Sequence, residues 1–377
     1  MYFKQQKISA KKSHISPISI INLLIVFLIL LGSCNKNKIT FAKFNNQKLE
    51  YEGRIDMTDT SAAVIYWPGS SVKIYFKGTS VKAMLKDEKG DNYYNVIIDN
   101  DSIQILRLDT AKKFYILAEN LIKGKHSVEI FKRTEWNKGK TWFYGFDFGK
   151  EGEIVAPAIV KNRMIEFYGN SITAGYAIED FTADSPDSIF TNNYLTYGAL
   201  TSRHYKARYS CISRSGIGIM ASWFPLIMPE MYNRLDPTDT TSLWDFSKET
   251  PNIVVINLFQ NDSWIVNMTN REEYKYRFGT NPPPTEHFII DAYSSFVQLI
   301  RNEYPKAHII CVLGSMSITK KDSPWPEYVK KAVLLLDDKK IYTHFFKYNN
   351  IKGHPEVEDH KKMSESLIQF IDRNIEW

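Results

Sequence analysis

The hydrophobic pattern changes period at Ala156-Pro157, and that change limits the fold more than any other feature of the chain. Over residues 45–152 short runs such as Ser71-Val72-Lys73-Ile74-Tyr75-Phe76 and Tyr94-Asn95-Val96-Ile97-Ile98 alternate or are β-branched. Turn residues punctuate them at Pro68-Gly69, Lys77-Gly78, Asp87-Glu88-Lys89-Gly90 and Lys123-Gly124. Strands of that length and spacing make an antiparallel sandwich. Over 160–377 apolar runs at 164–168, 253–258 and 308–313 alternate with helical patterns at 192–204, 291–303, 327–336 and 356–373. That alternation predicts a three-layer α/β/α domain around a parallel sheet, whose sites form where strands end at their carboxyl edge.

The first residues read as a targeting segment. Lys4, Lys7, Lys11 and Lys12 precede an apolar stretch at 20–31 that is too short to span a bilayer. It ends in Leu31-Gly32-Ser33-Cys34, which resembles a bacterial lipobox. The expectation is a removed leader over 1–33, a lipid anchor on Cys34, and a tether over 34–44. That places the protein on a membrane of the bacterial cell envelope, the outer membrane in particular; the plainer alternative is a secretory signal with an incidental cysteine. The formal charge of +6 falls to about +2 once those four lysines are removed, so the basic balance gives no argument for nucleic acid. Cys211 and Cys311 each sit in an apolar strand-like run and read as two separate buried thiols. With neither C-x-x-C nor H-E-x-x-H in the chain, no metal or cofactor is expected.

The first strand of the second domain runs directly into Gly169-Asn170-Ser171. A serine at the carboxyl end of a buried strand stands where a ligand would bind, but a lone Gly-x-Ser is more often an ordinary turn. The chain has no G-x-S-x-G, which excludes the strained elbow of α/β-hydrolases. A serine hydroxyl is a poor nucleophile near neutral pH and needs a base within hydrogen-bond reach. His354, in Gly353-His354-Pro355, can supply one, taking the proton and returning it to a leaving alcohol.

Four stretches carry a resemblance. Glu166 to Tyr176, containing Gly169-Asn170-Ser171-Ile172-Thr173, resembles the first block of the SGNH (GDSL-like) hydrolases. Ser213-Arg214-Ser215-Gly216, Asn257-Leu258-Phe259-Gln260-Asn261-Asp262 and Gly353-His354-Pro355 resemble the later blocks, in the same order. Glu52-Gly53-Arg54, Trp67-Pro68-Gly69-Ser70-Ser71, Lys77-Gly78-Thr79 and Lys132-Arg133-Thr134-Glu135 are similar to the N-terminal domain of carbohydrate esterase family 2. That family joins a jelly-roll sandwich to an SGNH domain and deacetylates polysaccharides. The resemblance implies an acyl-Ser171 intermediate and His354 as general base. It also implies an oxyanion hole from the backbone N–H of Ser171, the backbone N–H of Gly216 and the amide of Asn261. The implied substrate is an acetylated polysaccharide or oligosaccharide.

Three positions depart from the family pattern. Asn170 replaces the usual Asp and is expected to keep its structural role. Phe259 replaces a Gly and is expected beside the oxyanion hole, narrowing the acyl pocket in favour of acetyl. Ile351 stands where the third triad acid is usual, which implies a Ser171–His354 dyad with a main-chain carbonyl accepting the Nδ1 proton. Trp264 and Trp325 are placed near the mouth of the site, where sugar stacking and packing are equal readings. His360 is read as structural and Asp262 as a residue that fixes local loops. Two rival functions stay open: a glycan-binding lipoprotein that has lost turnover, and an esterase acting on non-carbohydrate esters.

Overall fold

The computed structural model describes Tyr2, residues 40–156 and residues 161–377; the leader, Cys34 and most of the tether lie outside the described residues. Residues 40–377 form one compact unit.

The N-terminal half is two packed antiparallel sheets. One has the strand order Ile55–Asp56, Ala63–Ile65, Thr141–Asp147, Val81–Asp87, Lys113–Ala118, with Phe41–Lys43 also pairing to Thr141–Asp147. The other runs Glu153–Val155, Ser71–Gly78, Gly124–Lys132, Tyr93–Ile98, Ser102–Arg107, with Glu50–Glu52 pairing to Ser71–Gly78. Alternation does the sorting: Val81, Ala83 and Leu85 point inward while Lys82, Met84 and Lys86 are half-exposed. Val72, Ile74 and Phe76 do the same from the facing sheet and are fully buried. Each such side chain contributes about 1.5–3 kcal/mol by leaving water. The sandwich is longer than expected at both ends. Phe41–Lys43, assigned to the tether, is a strand, and Glu153–Val155 continues the second sheet past residue 152. Three-residue strands fall below the length at which alternation is legible.

The C-terminal half has a five-stranded parallel sheet in the order Arg208–Ser213, Met164–Gly169, Ile253–Asn257, His308–Leu313, Ile341–Phe345. Ile165 and Phe167 face the helices Tyr197–His204 and Val357–Asn374. Tyr168, Val254 and Ile256 face Glu286–Glu303 and Trp325–Leu335 on the other side. Both faces are covered, so the strands read as unbroken apolar runs. The fold is therefore an antiparallel sandwich followed by a three-layer α/β/α domain around a parallel sheet, as the sequence implied. Cys211 and Cys311 are free and buried, and burial pushes their thiols up to about 11 and about 12. Among the described residues no helix is long and apolar enough to cross a membrane.

The two halves are joined through their interiors. Arg54 of the sandwich is fully buried beneath the parallel sheet. Its guanidinium donates to the carbonyls of Tyr232 (2.6 Å) and Arg234 (3.0 Å) and to Tyr168 Oη (2.9 Å), and lies 3.5 Å from Glu166. Tyr168, Tyr304 and Ser210 each donate to the same Glu166 carboxylate.

Candidate active site

The register of three neighbouring strands assembles the site. Gly169 stands opposite Ser213 on one side and Asn257 on the other. The chain leaving these three strands carries Ser171, Gly216 and Asn261 to one edge of the sheet. Asn170 caps the short helix Ser171–Ala174 by accepting the N–H of Ile172 at 3.1 Å, so it does the structural work expected of it.

His354 comes from the loop before the last helix. Its Nε2 lies 2.8 Å from Ser171 Oγ. Its Nδ1 lies 2.8 Å from Asp184 Oδ1 and 3.1 Å from Oδ2. The expected dyad with a main-chain acceptor is therefore corrected: the acceptor is a carboxylate. An ionised carboxylate only accepts, so Nδ1 carries the proton, Nε2 is the acceptor, and Ser171 Oγ–H donates to it. Asp184 also accepts the main-chain N–H of His354 at 3.3 Å. Hydrogen bonding to the imidazole is the first cause that holds the Asp184 carboxyl below its ordinary value.

Sequence reasoning missed Asp184 because it sought an acid near His354 along the chain, and the two are 170 residues apart. Asp184 sits on the loop after the serine block, among Asp180-Phe181-Thr182-Ala183-Asp184-Ser185-Pro186-Asp187. Its backbone is left-handed, at φ +58°. Asp180 shapes that turn by accepting from the N–H groups of Thr182 (3.0 Å), Ala183 (3.2 Å) and Ser185 (2.7 Å) and from Thr182 Oγ (2.8 Å). These bonds, Ser185's first, hold its carboxyl at about 2. Gly353 completes the approach. Its φ is +93°, and a Cβ there would stand 3.1 Å from the Asp184 carboxyl carbon. The legible signal was a cluster of turn-forming acids next to the Gly169-Asn170-Ser171 block, which many surface loops share.

Gly216 has φ +84°, a conformation suited to glycine. The Asn261 amide is fixed at both ends, donating to the Ile217 carbonyl at 2.8 Å and accepting from Trp223 Nε1 at 3.0 Å. One Nδ2 proton remains for a ligand. Asp262 beside it is fully buried and accepts the N–H groups of Ile219, Met220 and Ala221, which pins the loop after Gly216. Desolvation pushes its carboxyl up to about 6. Tyr176 lies against the His354 ring at 4.7 Å. His360 accepts the Tyr197 N–H on Nδ1 at 3.1 Å, and burial lowers it to about 3, so it is a neutral structural group.

The expectation for Phe259 is corrected, and of the two readings of Trp325 the structure favours packing. Phe259 offers no surface to a ligand: it is fully buried, packed on Tyr293 (4.7 Å) and Trp325 (5.0 Å). What the glycine-like position has kept is the backbone, at φ +76°. Trp325 opens a helix and is 7% exposed, so it packs and offers no face to a sugar. Trp264 is half-buried within Gln260–Ile265, and its Nε1 donates to Ser317 Oγ at 3.0 Å. Among the described residues no group of three or more His, Cys, Asp or Glu side chains is placed to hold a metal ion.

Residues 51–157 match the carbohydrate esterase 2 N-terminal family. The chain is 31% identical over 350 residues to the cellulase/esterase CelE of Acetivibrio thermocellus, covering 88% of this chain and 40% of that protein's length. It is 22% identical to an acetylxylan esterase / glucomannan deacetylase of Cellvibrio japonicus, covering 94% of this chain and 99% of the relative. A solved family two carbohydrate esterase from Clostridium thermocellum, in complex with cellohexaose, superposes with a TM-score of 0.74 at 30% identity, covering 86% of this chain and 98% of that one. With the sandwich matched and the solved enzyme covered almost end to end, the chain belongs to carbohydrate esterase family 2.

Proposed function

We propose that this chain is a serine esterase that removes acetyl groups from carbohydrates through an acyl-Ser171 intermediate. The observation that carries the reading is the continuous line Asp184–His354–Ser171, with 2.8 Å at each junction. Ser171 Oγ attacks the ester carbonyl as its proton passes to His354 Nε2. Asp184 keeps the reactive tautomer and stabilises the imidazolium that forms. Negative charge then develops on the former carbonyl oxygen, where the N–H groups of Ser171 and Gly216 and the free Nδ2 proton of Asn261 act as preorganised donors. His354 returns its proton to the leaving sugar hydroxyl, the C–O bond to the sugar breaks, and the acyl enzyme remains. Water, deprotonated by the same His354, attacks the acyl carbonyl and releases acetate and free Ser171.

The carbohydrate and the acetyl group rest on the relatives' names: an acetylxylan esterase / glucomannan deacetylase, and an esterase solved with cellohexaose. Phe259 no longer supports the acetyl preference, since its ring faces the core. Two grounds for a non-catalytic glycan binder weaken with it: His354 has a carboxylate partner in Asp184, and the bulky Phe259 side chain is fully buried. The test is turnover of acetylated xylan and glucomannan oligosaccharides and of p-nitrophenyl acetate, with Ser171→Ala as blank. Turnover of p-nitrophenyl acetate alone would leave an esterase for non-carbohydrate esters.

We also propose attachment to the bacterial cell envelope, at the outer membrane, through lipid on Cys34, supported by Leu31-Gly32-Ser33-Cys34 after an apolar stretch. Native protein should sediment with membranes and become soluble on Cys34→Ser. Native protein found wholly soluble, with Cys34 unmodified, would end that reading.

A further inference from the structure

We propose that Arg133 and Glu135 of the sandwich are positioning residues for the reacting groups, Arg133 acting on the Asp184 loop and Glu135 on the Gly216 loop. This rests on the esterase reading above. Both residues sit on the turn that leaves strand Gly124–Lys132, and both side chains cross into the other half of the molecule.

Arg133 is 1% exposed. It clasps the Asp184 loop at its two ends. Nη2 pairs with Glu179 before Asp184, while Nη2 and Nε donate to the carbonyls of Ile189 (2.7 Å) and Thr191 (3.1 Å) after it. Asp184 lies between these anchors in a left-handed conformation that a free loop would leave. Glu135 is 3% exposed and accepts both the N–H and the Oγ–H of Ser215, the residue before Gly216. A residue held at two of its own polar atoms has little freedom to swing the next N–H away from its target. The turn itself is rigid. Lys132 Nζ, fully buried, donates to Asn92 Oδ1 (2.6 Å) and to the carbonyls of Thr134 (2.8 Å) and Glu135 (3.1 Å). The halves are already joined elsewhere by Arg54 and by Trp67, whose Nε1 donates to the Leu235 carbonyl at 2.9 Å. Two further buried charges are therefore not needed for adhesion, yet both contact the loops that flank Ser171.

The experiment measures kcat and KM of full-length Arg133→Gln, Glu135→Gln, Asp184→Asn and the two doubles with Asp184→Asn. All are normalised to active sites titrated with a fluorophosphonate, so that misfolded protein is not counted. Arg133→Gln and Glu135→Gln should each lower kcat by about 10²-fold with KM within about threefold, because small misplacements of reacting groups act on kcat. Arg133→Gln should cost nothing further in the Asp184→Asn background, since it acts through that carboxylate, whereas Glu135→Gln should cost its full factor there. Trp67→Phe, which loosens the same junction away from Ser171, should leave kcat per active site unchanged. Wild-type kcat in Arg133→Gln and Glu135→Gln, or the same factor for Arg133→Gln in both backgrounds, overturns the proposal. If the wild type turns over no ester, the esterase reading fails, and the labelling rate of Ser171 decides this one: slower labelling in both variants supports it. Equal labelling, or none in the wild type, overturns it.

Discussion

Arg54 and Arg133 are the same residue type, come from the same sandwich, and are buried alike at 0% and 1% exposure. They are used differently. Arg54 ends under the parallel sheet, where it meets Tyr168 and Glu166 of strand Met164–Gly169 and two carbonyls of the turn after Met228–Met231, and Glu166 is the buried charge it neutralises. Arg133 is held by Asn95 of its own sandwich at 3.3 Å but ends on a loop, where its partners are two carbonyls and a carboxylate of a segment with little core of its own. Losing the first should cost folding free energy; losing the second should cost the placement of one carboxylate. Burial alone does not tell a structural charge from a functional one, whereas the partner does: a packed strand has few alternatives and a loop has many.

The comparison is sharpest at the Asp184–His354–Ser171 line itself. Ser171→Ala and His354→Ala should each lower kcat by about 10⁶-fold while leaving the unfolding curve in place, as expected of residues that act as one unit. Asp184→Asn should lower kcat by about 10⁴-fold with the fold intact, the size seen when a triad acid is replaced by its amide. A rate within tenfold of wild type for that variant would return the site to a dyad. Arg54→Ala, in contrast, should leave kcat per active site near wild type but destabilise the chain by about 3–5 kcal/mol in denaturant titrations, because Glu166 is left buried and unpaired. Phe259→Ala should behave like Arg54→Ala, with a loss of about 3–5 kcal/mol and no widening of acyl-chain preference. Faster hydrolysis of butyryl esters by that variant would mean its ring borders the acyl pocket after all.

The smallest effect concerns acid. Asp180 is held at about 2 against an ordinary 3.8, and Asp184 is also lowered. A depressed carboxyl contributes stability that is fully present above the ordinary value and is lost as pH falls through the folded one. The wild type should therefore lose stability between about pH 4 and pH 2, and Asp180→Asn should lose less over that interval in the same titration. Identical slopes would show that the Asp180 bonds form in the unfolded chain as well.

Much of this was legible in the residues. Alternation in Val81–Asp87 and unbroken apolar runs in Ile253–Asn257 and His308–Leu313 report their own burial, because each follows from which side of a strand a residue faces. Ser171 and His354 were picked out by blocks that resemble the SGNH hydrolases, and the strand end and the turn before a helix that hold them are set by neighbours along the chain. Strand Ile341–Phe345 was not, since four of its five residues are only half-buried at the sheet edge and no apolar run marks it. Phe259 misled for a related reason. A missing glycine speaks for an unusual backbone, which is present at φ +76°, but says nothing about which way a new side chain points.

What the sequence determined by itself is therefore what depends on near neighbours: the antiparallel sandwich, the parallel sheet, the serine at a strand end and the histidine before the last helix. Only the tertiary structure decided that Asp184 meets His354 across 170 residues, that Phe259 packs on Trp325, and that Glu135 of the sandwich holds Ser215. The physical reason is that hydrophobic periodicity is a property of one segment. A hydrogen bond between distant loops depends instead on how all the segments between them pack, and a carboxylate in a polar turn reads the same whether it meets water or an imidazole.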